Sequence, residues 1–153
     1  MKTGYVNGSD LLLFVEDRAV GHCSSHTTTF NSETKDRAVK PVASASLASG
    51  LWKRKGVVGL GISISADAIR FYDENECGYD TLLAMWKAGH AVTLKCAERE
   101  SDTEPYLQGS FIITSLEENA PAQDDATYKA NFENDGEPTV LDRSKITVNQ
   151  SQP

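Results

Sequence analysis

The stretch from Tyr106 to Phe132, YLQGSFIITSLEENAPAQDDATYKANF, constrains the fold more than any other. Two runs in it alternate with the period of two that belongs to β-strands. In the first, Phe111, Ile113 and Ser115 share one face, and Ile112, Thr114 and Leu116 the other. That strand is apolar on both faces near its centre and expects cover on both. In the second, Tyr128, Ala130 and Phe132 share a face opposite Thr127, Lys129 and Asn131, the pattern of a strand with one wet side. Between them, Glu117–Asp125 holds Asn119, Pro121 and the pair Asp124–Asp125, which are turn formers. An antiparallel pair at the centre of a sheet is the simplest reading.

Most other segments read as strand. Leu11–Glu16 is a short apolar run, and Ala19–Cys23 can pair back on it. His26–Asn31 alternates Thr27 and Thr29 against Thr28 and Phe30, so the N-terminal third starts as a meander. Val57–Ser65 sets Leu60, Ile62 and Ile64 against glycine and serine, with a turn expected at Ala66–Ala68. Ala91–Glu98 follows as another strand, and Thr139–Leu141 and Lys145–Val148 add short ones. Residues 79–88 are the one helix. Tyr79, Leu82, Leu83 and Trp86 make an apolar stripe, Asp80 is the expected N-cap and Gly89 the residue that stops it. The fold class is mainly β: an antiparallel sandwich or barrel with one short flanking helix. One domain spans residues 1–153, with flexible ends at 1–9 and 149–153.

Residues 32–55 break the pattern. They form an arm with no steady strand period, small-residue rich from Ala43 to Gly50. Six bases (Lys35, Arg37, Lys40, Lys53, Arg54, Lys55) stand there against Glu33 and Asp36, in a chain of net charge −7. Long loops inside compact domains are usually functional or disordered. Lys40, Leu51, Trp52, Lys53, Arg54 and Lys55 are the residues expected to reach another subunit, with Trp52 as anchor. A solvated hairpin tip is the plainer alternative. The acids lie elsewhere: from Glu98 to Asp142 twelve carboxylates face only Arg99 and Lys129. A basic projection on an acidic body favours head-to-tail self-association, which closes into rings or extends into filaments.

The chemistry-bearing motifs are weak. His22, Cys23 and His26 match no common zinc spacing. Gly56–Gly61 has the glycines of a phosphate loop but leads into a strand, without the helix N-terminus such a loop needs. The carboxylate pairs lie in loop-like sequence with no sign of burial. No catalytic residue, cofactor or metal is expected. A net acidic chain also argues against a dedicated nucleic-acid grip. No run approaches the roughly 20 apolar residues of a membrane span, no secretory leader is expected, and three widely spaced cysteines suggest reduced thiols.

In order along the chain stand Leu11–Val15, then GHCSSHT before NSETKD, then the Leu82, Leu83 and Trp86 helix with Gly89 and a Val-bearing strand, then GSFIITSL, and Ala126-Thr127-Tyr128 through Phe132 to Gly136. From about Leu11 to Thr139 this series resembles the major tail tube proteins of long-tailed phages. The resemblance implies a structural protein that stacks as hexameric rings into a hollow tube, with a long loop contacting the next ring. The implied partners are further copies of itself and the tape-measure, tail-terminator and baseplate proteins. DNA would be cargo passing through, and no membrane is involved. The implied location is the virion tail, with the host cytoplasm during assembly. The 32–55 arm would be the inter-ring loop by position. Thr127, Lys129 and Asn131 are candidates for the lumen face, where an acidic wall would repel phosphates. Asp124 and Asp125 would form an acidic rim meeting the arm. A type VI secretion tube protein and a small-ligand-binding β-barrel are the alternatives.

Overall fold

The computed structural model describes residues 4–37, 54–99 and 104–142. Eight strands and one α-helix follow in chain order: β1 (Leu11–Val15), β2 (Arg18–Ala19), β3 (Cys23–Arg37), β4 (Arg54–Ile69), α1 (Tyr79–Ala88), β5 (Val92–Glu98), β6 (Leu107–Asn119), β7 (Thr127–Asn134) and β8 (Val140–Leu141). The strands form one antiparallel sheet in the order β2-β1-β5-β6-β7-β4-β3, with β8 also on β6. β6 and β7 therefore occupy its middle.

The sheet rolls on itself without closing, as a sandwich-like fold. β2 and β3 are its two ends, yet only Val20, Gly21 and His22 separate them in sequence. This link is tied by backbone bonds: Gly21 N–H donates to Cys77 O at 3.2 Å, and Ile69 N–H to His22 O at 3.1 Å. Gly21 suits the spot, since a Cβ there would overlap the Glu76 side chain. Inside the roll lie Val15, Ile64, Leu94, Phe111, Tyr128, Ala130 and Phe132, all buried. The alternation in β7 thus sorts as the sequence predicts.

Several expectations need correction. β6 carries a bulge between Ile113 and Ser115. One extra residue reverses the facing of everything beyond it. Ser115 turns outward, and Leu116 crosses to the core side opposite buried Ala130 instead of staying with Ile112. Ile112 is exposed, so only one face of this strand is fully covered. The loop after β6 starts only at residue 120, because Glu117, Glu118 and Asn119 still pair with β7. Ala66–Ala68 is strand, not turn, and both alanines are buried on its core side.

The N-terminal meander is also broken. β3 leaves β1 and β2 and pairs with β4 at the far end of the sheet. Both ends of the supposed arm are strand as well. β3 continues to Arg37 and β4 begins at Arg54, with pairs such as Asp36↔Lys55 and Arg37↔Arg54. Hydrophobic alternation fails there because the burial pattern is exposed on both sides. Lys40, Leu51, Trp52 and Lys53 lie outside the described residues, as does Lys145–Val148.

α1 begins at Tyr79 with Gly78, not Asp80, as N-cap, and Gly89 ends it at φ 73°, the left-handed conformation glycine favours. Asp80 is drawn instead to Arg70, 3.1 Å away. Arg70 also donates to Glu118 at 2.5 Å and to the Tyr72 hydroxyl at 3.2 Å, and its guanidinium lies over the Tyr79 ring. One side chain thus ties the end of β4 to the start of α1 and the end of β6.

Candidate assembly surfaces

Four strands, β6-β7-β4-β3, share a continuous polar face on the side away from the core. Cross-strand register builds it row by row. Thr27 lies beside Ser65, Ser65 beside Asn131, and Asn131 beside Ser115. A second row runs Asp67, Lys129, Glu117. Small polar side chains bond to one another across it: Asn131 Nδ2 donates to Ser115 Oγ at 2.6 Å and Asn31 Nδ2 to Ser63 Oγ at 3.2 Å. Lys129 and Asn131 sit on this face with Thr127 at its margin, as the sequence pattern expects. Asp67, Glu117 and Glu133 stand there around Lys129, and the bases Lys35, Arg37 and Arg54 follow only on the hairpin beyond β7.

Both lateral edges of this unit are open. Among the described residues, β3 pairs only with β4. β6 splits its partners: residues 107–111 pair with β5, whereas from Ile112 to Asn119 only β7 pairs with it. Among the described residues, no strand lies beside the edge opposite β7 along that half of β6. Open edges of this kind are templates for pairing with another chain.

The two ends of the unit differ in charge. β4 pairs with β7 only over 63–69, so the β3–β4 hairpin runs on for the nine residues 54–62, roughly 30 Å at about 3.3 Å per residue. Lys35, Arg37, Arg54 and Lys55 stand near its outer end with Glu33 and Asp36. At the opposite end lies the β6–β7 loop, where Asp125 N–H donates to Asp124 Oδ1 at 2.8 Å and Gln123 takes a left-handed φ of 61°. The sequence-predicted Asp124 and Asp125 and the described part of the arm, Arg54 and Lys55, are therefore far apart in one chain.

Two apolar surfaces were not foreseen. A surface groove of ≈ 870 Å³ opens where the hairpin departs from β7, lined by Phe30, Leu60, Ile62, Pro138 and Leu141. Asn134 shapes it, accepting from Ile62 N–H at 2.8 Å and donating to Gly136 O at 2.8 Å. On α1, Leu82 is buried but Leu83 and Trp86 face out. Neighbouring residues on a helix point about 100° apart, and here the core takes Leu82 and leaves Leu83 at the margin of the buried face.

Residues 5–140 match the sequence profile of a family described as phage tail tube protein. Comparison with curated protein sequences gives no match. Among solved structures, the tail of an empty GTA particle, refined with C6 symmetry, aligns at TM-score 0.69 and 19% identity, over 90% of this chain and 99% of that one. The SPP1 tail tube aligns at 0.57 and 10%, over 86% and 77%. The sheath/tube terminator of an extracellular contractile injection system aligns at 0.56 and 13%, over 88% and 95%. At such identities these likenesses speak for the fold.

Proposed function

Because the chain belongs to the phage tail tube protein family, we propose that it builds the tube wall by pairing the open edge of β3 with the open 112–119 edge of β6 in the next copy. The observation that carries this reading is the four-stranded unit itself, with two open edges, one polar face and a core behind it. The strands alternate in direction, so an even number per copy makes β3 antiparallel to the neighbouring β6 at every junction. The C6 symmetry of the GTA tail supports six copies per ring. Rings of this kind stack into a virion tail tube.

In this assembly the polar face lines the bore, with Thr127, Lys129 and Asn131 among its residues. Hydroxyls and amides there leave few cations to neutralise phosphates, so DNA slides past without sticking. The basic hairpin end, Arg54 and Lys55 with the arm beyond, reaches along the tube axis to Asp124 and Asp125 of the next ring. The same ring ends are the surfaces for terminator, baseplate and tape-measure proteins, and subunits gather in the host cytoplasm before the tail forms.

Electron microscopy of concentrated protein tests the reading. Six-fold rings of constant diameter, or tubes, are expected; persistent monomer at millimolar concentration overturns it. The lumen assignment has its own test. Ser65→Lys with Asn131→Lys should leave tubes intact but make them retain DNA at low salt, and tubes that stay inert to DNA would place this face elsewhere.

A further inference from the structure

The hairpin groove and the outer face of α1 are both exposed among the described residues, and both are apolar. Leu60 is 79% exposed and Phe30 53%, on the core side of the hairpin where it has run past β7. On α1, Trp86 is 51% exposed and Leu83 40%. Lys87 follows Leu83 at a spacing of four, which keeps it on the same strip of the helix surface, and His90 lies just past the helix end at Gly89. Exposed aromatic and aliphatic groups grouped like this mark contact sites more than chance surface.

Within one chain these surfaces cannot meet. α1 packs on β6, its first turn held near Glu118 through Arg70 and its Tyr79 ring against Tyr128. The chain then returns at Val92 opposite Phe111. The helix thus runs along the half of β6 that, among the described residues, borders no strand but β7. The groove lies toward the other end, under a hairpin on the far side of β7.

Between copies paired edge to edge, the two surfaces lie on one side of the sheet. When β3 of one copy joins the open edge of β6 in the next, the core side of its hairpin arrives on the side of the sheet where α1 sits. Charge agrees with shape. Lys87 follows Trp86 in the last turn of α1, while Glu137 lines the groove and Asp135 stands in the turn before it. We infer that α1 is an intersubunit clasp, its Leu83–Trp86 ridge seated in the hairpin groove of a second copy of this chain. The inference rests on the edge-to-edge ring proposed above.

The test compares the concentration at which rings or tubes first form, read by sedimentation and microscopy. Trp86→Ser and Leu60→Ser alter exposed residues and should keep the far-UV spectrum and thermal midpoint of the monomer. Each should raise the assembly threshold by about tenfold or more, as buried interface anchors do. Lys87→Glu and Glu137→Lys should each raise it as well, and the two together should recover most of the loss. Assembly of Trp86→Ser and Leu60→Ser at the wild-type threshold overturns the clasp while leaving the tube reading intact. A wild-type chain that never assembles overturns both. A direct contact test uses a Cys23→Ser background: Leu83→Cys mixed with Leu60→Cys should form a disulfide-linked dimer in assembled rings under mild oxidation. Absence of that dimer in well-formed rings also overturns the clasp.

Discussion

Single side chains in this fold act mainly by joining segments that the backbone ladder does not reach. Arg70 is the clearest, with two carboxylates and two aromatic rings around one guanidinium. Its partners are partly exposed, so solvent screens each bridge, and exposed pairs contribute only about 0–1 kcal/mol apiece. Arg70→Ala should therefore cost about 1 kcal/mol in urea unfolding while loosening the start of α1, seen as faster hydrogen exchange at Thr81 and Leu82. Cys77 sits between β2 and α1 with its thiol fully buried. Burial pushes it up to about 11 from 9.0, a rise that Arg18 opposes and Glu16 reinforces. Burial likewise holds the Tyr128 phenol well above its ordinary value, with Cys77, Cys23 and Glu76 adding to it. A raised acid keeps its proton in the fold while the unfolded chain loses its own. The stabilisation is thus complete below pH 9 and fades as pH rises toward 11. Unfolding midpoints should fall across that window, and Cys77→Ser should flatten the fall. The Tyr128 hydroxyl has no hydrogen-bond partner among the described residues. Removing a buried unsatisfied polar atom is neutral or stabilising, so Tyr128→Phe should not lower the melting temperature.

Elements show where the sequence was readable and where it was not. β7 was legible because its pattern meets one core and one wet face without interruption; Tyr128, Ala130 and Phe132 are all buried. The end of α1 was legible because Gly89 adopts a conformation that other residues resist. The β6 bulge was not, since Ile112, Ile113 and Thr114 suit a strand in either register. The hairpin ends escaped for a different reason: a strand wet on both sides has no hydrophobic period to read. Of the assembly surfaces, the common facing of Lys129 and Asn131 could be read from alternation alone. The open edges could not, because they depend on which distant strand fails to pair. α1 offers a paired test at this scale. Leu82→Ala removes the helix's one buried side chain and should cost about 2–5 kcal/mol of monomer stability. Leu83→Ala should leave monomer stability within about 0.5 kcal/mol, as surface changes do, and act on assembly alone.

The whole molecule is polarised along its strands, with bases at the hairpin end and carboxylates at the other. Exposed charges attract across about 8–10 Å in ordinary salt and less above it, so ring stacking should weaken steeply as sodium chloride is raised, more than ring closure does. Arg54→Glu with Lys55→Glu should leave single rings that do not stack. Adding Asp124→Lys and Asp125→Lys to the same chain should restore stacking, and tube length in micrographs measures both outcomes. The family membership, the polar face and the even strand count fit one object, a seamless wall. That even count has a further meaning. Five, six or seven copies would each close without a mismatched junction, so strand pairing by itself sets no bore. The gauge must come from the wedge between neighbours, which on the clasp reading is the angle at which α1 meets the next hairpin. Calibre, on this view, is written on the outside of the pipe.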